Sequence, residues 1–210
     1  MCPAMRRAFA VAAVAVVVLA TAPQASASPC CYQGWHWRRS HNPFTVTLVL
    51  SLTSAWQTPI QAAATEWSKS DKFDMVTTPG NSSLSARKAC AETSGEVHVC
   101  NANYGATGWA GLTEATLNGQ HIVRMRVRLN DAETPAVYRR LVSCHELGHS
   151  VGLGHNTRST SCMKPGAGSR PHPDATDYAE LDVIYHHLDS VAVPAGTTRT
   201  VLIYDWVTPQ

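Results

Sequence analysis

The chain has 210 residues and a formal net charge of +2, with 17 Lys and Arg against 15 Asp and Glu. So small an excess gives no basis for charge-driven binding to nucleic acid or to an anionic membrane surface. The longest apolar run, residues 8–20, has 13 residues, short of the ~20 that a helix needs to cross a bilayer, which argues against membrane insertion.

Arg6 and Arg7 precede that run and Ala25-Ser26-Ala27 follows it, so residues 1–27 have the form of a secretory signal peptide. Its removal takes away both arginines and Cys2. Basic and acidic side chains then balance, and six cysteines remain: Cys30, Cys31, Cys90, Cys100, Cys144 and Cys162. An even number in an exported chain favours disulfides over reactive thiols. Cys90–Cys100 and Cys144–Cys162 each close a short loop and are the expected pairs, while the partners of Cys30 and Cys31 stay open. Residues 28–42 read as an irregular arm rich in Trp and Arg.

Phe44, Val46, Leu48 and Leu50 alternate with other residues, the period of a half-buried strand over 43–52. Thr58-Pro59, with Gln61 completing a capping-box pattern, predicts a helix start. Ile60, Ala63, Ala64 and Trp67 carry that helix to about residue 69. A strand is expected over 73–77, a loop over the Gly-, Asn- and Ser-rich 78–87, a short strand over 96–101 and a turn-rich segment over 104–111.

Residues 121–129 give the clearest strand, with Val123, Met125, Val127 and Leu129 on one face and Arg124, Arg126 and Arg128 on the other. The arginine stripe reads as the solvated face of an edge strand, where charge blocks unwanted pairing. A strip facing an acidic substrate is the alternative. A second helix is expected from Thr134-Pro135 to about Val151, stopped by Gly152 and Gly154. A third is expected from Thr176 to His187, and one more strand over 200–206.

The end of the second helix carries Cys144-His145-Glu146-Leu147-Gly148-His149, followed by Gly152 and His155. His145 and His149 are one helical turn apart on one face, so both imidazoles can reach one ion. Gly152 can take a positive φ, letting the chain turn and bring His155 in from a third direction. Three imidazoles leave one exchangeable position, the arrangement of catalytic rather than structural zinc. Glu146 points ~100° around the helix from His145, towards a water on the metal rather than the metal itself. There it can act as general base and then pass the proton to the leaving amine. The reading is therefore a secreted zinc endopeptidase with one catalytic Zn2+, Glu146 as the catalytic residue and a protein or peptide substrate. The sequence gives no indication of calcium. A secreted zinc-binding module without catalysis is the alternative, and Glu146 argues against it because binding alone needs no such carboxylate.

The motif resembles that of the metzincin metallopeptidases, His-Glu-x-x-His-x-x-Gly-x-x-His with a Met-turn downstream. Met163, eight residues past His155, looks like that turn, and the resemblance implies that it forms an apolar floor beneath the ligands. Within the metzincins the chain is most similar to matrixins: the helix ending at Trp67 resembles their first helix, and 177–185 has the Asp and Tyr spacing of their last. The resemblance implies an α/β (α+β) zincin with a mixed twisted sheet, an active-site helix, the Met-turn and a C-terminal helix. The catalytic domain would span 43–190, with 191–210 as an extension, and strand 121–129 would be the edge above the cleft. Asn156 stands where matrixins usually carry Ser. A Cys144–Cys162 disulfide would tie the active-site helix to the Met-turn. His36, His41, His98, His121 and His172 show no ligand spacing and read as ordinary histidines. His186-His187 is expected at a helix C-terminus, where positive charge is favourable.

Overall fold

A computed structural model describes residues 33–189 and 198–205. The signal-like segment 1–27 and both Cys30 and Cys31 lie outside these residues. The fold is a mixed sheet covered by helices, as a metzincin-like α/β chain requires.

Strand β1 (His36–Trp37) belongs to the segment expected to be irregular, and Trp35 and Trp37 are both in the core. Strand β2 (Phe44–Ser51) matches its alternating pattern, with Phe44, Val46, Leu48 and Leu50 all buried. Helix α1 (Ser54–Trp67) begins four residues earlier than Thr58 and carries Pro59 inside it. Tertiary contacts override the local proline signal here. Trp56 is fully buried and its indole N–H donates to Asp131 Oδ1 at 2.7 Å. The Thr53 N–H donates to Asn101 Oδ1 at 2.7 Å, and Asn101 in turn donates to both Asp131 oxygens. These bonds fix the start of the helix, at the cost of the one hydrogen bond that Pro59 cannot make.

Strand β3 (Phe73–Pro79) runs parallel to β2. The expected loop over 78–87 gives way to a short helix, α2 (Leu84–Ala89). Ser83 caps it by accepting the Ala86 N–H, and Cys90 ends it at a positive φ of 44°. The Cys90–Cys100 disulfide fastens this helix to β4 (Glu96–Ala102).

Strand β5 (Gly111–Asn118) had no clear pattern in the sequence, because both its faces are buried and its Gly, Glu, Ala and Asn residues are weak strand formers. Strand β6 (His121–Asn130) is not an edge. The sheet order is β3-β2-β4-β6-β5-β7, with β1 also paired to β6. β1 to β4 and β6 pair in parallel, whereas β5 is antiparallel to both neighbours. The arginine stripe is therefore internal to the sheet. Arg126 and Arg128 donate to Glu114, which lies directly across on β5, and Arg124 donates to Glu92.

Thr134 does not cap the next helix; its hydroxyl donates to the Ala110 carbonyl. A 3-10 turn (Ala136–Tyr138) intervenes before α3 (Arg139–His149). Helix α4 (Ala175–Ile184) opens on a capping box formed by Asp174 and Asp177 and ends before His186 and His187. Strand β7 (Thr198–Asp205) adds the tail to the outer side of β5. No helix among the described residues is long and apolar enough to cross a membrane.

Candidate metal centre

Helix α3 lies between α1 and β5, and every residue from Leu141 to His149 is buried. Close packing explains Gly148: a Cβ there would lie 2.2 Å from Met163 Sδ and 2.8 Å from Trp67. The absence of that carbon lets Met163, itself fully buried, slide under the helix. Trp67 locks the same turn by donating its indole N–H to the Cys144 carbonyl at 2.9 Å. Gly152 has a φ of 95°, and the chain reverses there towards His155.

Three imidazoles converge across this turn. His149 Nε2 is 3.1 Å and His155 Nε2 3.3 Å from His145 Nε2. The opposite nitrogens are tied to backbone carbonyls: His145 Nδ1 to Cys162 at 2.6 Å and His149 Nδ1 to Leu153 at 2.7 Å. An imidazole that donates from Nδ1 keeps its lone pair on Nε2. Several such lone pairs aimed at one point repel each other unless a cation sits between them, so the donor set fits a zinc ion. His145 and His149 are buried whereas His155 is exposed, so the centre opens on the His155 side. These three residues could hold a metal ion.

Glu146 is fully buried, on the β5 side of α3. Thr113 Oγ1 donates to Glu146 Oε2 at 2.6 Å. Gly111 passes so close that a Cβ would lie 2.0 Å from Glu146 Oε1. Thr113 and Gly111 were invisible as site residues in the sequence, because both belong to a strand with no readable period.

Behind His155 the chain is held by Asp177. Asn156 donates to Asp177 Oδ1 at 3.0 Å and to Ser161 Oγ at 2.9 Å, and Ser161 donates to Asp177 Oδ2 at 2.7 Å. Met163 N–H donates to Ser161 Oγ at 2.9 Å. Asn156 thus joins the third histidine to the Met163 turn through α4, and burial pushes the Asp177 carboxyl above its ordinary value. Arg158 reaches the same pair, with Asp174 at 2.9 Å and Asp177 at 3.0 Å.

Cys144 and Cys162 form the second disulfide, linking the residue before His145 to the residue before Met163. The joint replacement Cys144→Ala/Cys162→Ala is expected to lower unfolding free energy by about 3 kcal/mol on the loop-entropy account. Urea denaturation measures this, and an unchanged midpoint would show that the crosslink contributes nothing.

The sequence model of the matrixin family matches residues 51–186. No curated protein matches the chain.

Proposed function

Because the chain belongs to the matrixin family and is a zinc-dependent endopeptidase of protein or peptide substrates, we propose that it is exported and that Glu146 is its general base. The convergence of three Nε2 atoms at the helix that also bears Glu146 supports the general-base role, and the signal-like residues 1–27 support export. His145, His149 and His155 would hold the ion through Nε2. Zinc, when bound, supplies Lewis acidity towards a carbonyl and a water. The protein's part is to orient and to move protons. Cys162 and Leu153 carbonyls hold two of the imidazoles in register, and Thr113 fixes one oxygen of Glu146. The Glu146 carboxylate takes the proton of the attacking water and returns it to the leaving nitrogen. The low-polarity surroundings of α3 strengthen each of these interactions. We assign residues 1–27 as the export signal, 28–42 as an arm and 191–210 as an extension of a catalytic domain spanning 43–190.

The test uses the chain from Ser28 onward and a quenched peptide library. Cleavage that stops on chelation and returns with zinc supports the assignment. A zinc-loaded chain that cleaves no member of the library would overturn it.

The tail bears on access. β7 completes the hydrogen-bond ladder on the outer side of β5, with Asp205 opposite Gly111 and Ile203 opposite Thr113. β5 therefore has strand partners on both sides where it meets Glu146, and an extended peptide cannot add there as a strand. Deleting residues 191–210 is expected to raise kcat/KM, by the inverse of the fraction of time for which β7 leaves this edge free. Unchanged turnover would mean that peptides enter without using this edge.

A further inference from the structure

Four side chains with no ligand-like spacing in the sequence come together outside the α3 centre. Parallel pairing sets His36 of β1 opposite His121, the first residue of β6. Asp189, beyond α4, is fixed on the same spot by the arm: its N–H donates to the Arg39 carbonyl at 2.9 Å, and its Oδ2 accepts the Arg39 N–H at 3.0 Å. Oδ1 then faces three imidazoles, with His121 Nε2 at 3.0 Å, His36 Nε2 at 3.4 Å and His187 Nε2 at 3.5 Å. His36 Nε2 and His187 Nε2 are also 3.2 Å from each other. His36 is 4% exposed and the Asp189 side chain 7%.

Hydrogen bonds alone account poorly for this packing. Two imidazole nitrogens in contact can share only one proton, and one carboxylate oxygen has two lone pairs to offer three donors. A shared cation resolves both problems. Ligands bonded to a tetrahedral zinc at 2.0–2.1 Å lie about 3.3 Å apart. The separations around Asp189 Oδ1 run from 3.0 to 3.5 Å, bracketing that edge length. They also bracket the 3.1 and 3.3 Å found within the His145, His149 and His155 set.

We infer that His36, His121 and Asp189 form a second zinc site, with His187, near His36 and Asp189, drawn in as fourth ligand when the ion binds. With His187 drawn in, four protein ligands would close the coordination sphere, which makes the ion structural rather than catalytic. Imidazole donors select against calcium and magnesium. Two cations face the cluster. Arg39 Nη1 lies 3.6 Å from Asp189 Oδ2 and stays on that far oxygen. Arg38 Nη2 lies 3.3 Å from His121 Nδ1. When His121 Nε2 takes the ion, its proton moves to Nδ1 and the half-buried Arg38 side chain turns outward. The ion joins the arm, β6 and the segment after α4. The same segments brace the end of α3: Trp37 donates its indole N–H to the Ser150 carbonyl at 2.8 Å, and Tyr185 its hydroxyl to the Val151 carbonyl at 3.0 Å. The second zinc is therefore a clamp that holds the turn leading to Gly152.

Zinc counting by native mass spectrometry on the full chain separates the two centres. The unaltered chain should bind two ions, His155→Ala one, and His155→Ala/His121→Ala none. Zinc should raise the melting temperature of His155→Ala and leave that of the double variant unchanged. Asp189→Asn preserves side-chain shape and serves where His121→Ala does not fold; combined with His155→Ala it should also bind none. A His155→Ala chain that binds no zinc overturns the inference, as does one whose remaining ion survives both second substitutions. If instead the α3 reading is at fault, His155→Ala keeps the full count of the unaltered chain, and the two failures are told apart.

Discussion

Glu146→Gln is expected to lower kcat/KM for a peptide substrate by about 10²–10⁴-fold, the usual contribution of a positioned general base, with zinc content and melting temperature unchanged. The substitution keeps the shape of the side chain. Thr113 Oγ1, now 2.6 Å from Glu146 Oε2, can still donate to the amide oxygen. The close approach of Gly111 leaves no room for the replacement to move further towards β5. Only proton transfer is removed, so the loss should appear in kcat rather than in KM. A variant that retains a third of the activity would remove Glu146 from the chemistry and return the carboxylate to a structural role with Thr113.

His155→Ala should cost about three orders of magnitude or more in turnover, because the several kcal/mol of charge stabilisation that a catalytic metal supplies goes with the ion. This ligand is the informative one to remove. His145 and His149 are buried and each carries a carbonyl partner, so their loss would also leave a cavity and an unsatisfied backbone group. His155 is exposed and follows the Gly152 turn, so the helix and sheet should survive its truncation. Circular dichroism matching the unaltered chain, together with lost activity that added zinc does not restore, is the expected result. Undiminished cleavage would mean that the reaction does not use an ion held by these three histidines.

The α3 centre was legible in the sequence because its chemistry is local. His145, Glu146 and His149 sit on one helix and His155 one turn beyond it, so spacing alone predicts a common point. Thr113 and Gly111 were not legible. They reach Glu146 only through the pairing of β5 with β6, and β5 has no period because both its faces are buried. The misreading of β6 as an edge has the same origin. Alternating arginines resemble a solvated face until Glu114 and Glu92 are placed opposite them by non-local contacts. Helix α1 shows a different failure. Thr58-Pro59 is a sound local start signal, yet Trp56 and Asn101 set the boundary through bonds to residues far along the chain. His36, His121, His187 and Asp189 are the extreme case, with up to 153 positions separating members of one cluster.

The disulfide beside the centre ties the stability of the enzyme to the redox state of its surroundings. In the reducing compartment where a chain is synthesised, Cys144 and Cys162 remain thiols. The helix bearing two of the three histidines is then not fastened to the turn whose Cys162 carbonyl orients His145. Oxidation on export would make that fastening permanent. On the proposed export route the crosslink would form only after transit, so the ~3 kcal/mol it contributes would be missing inside the cell that makes the chain.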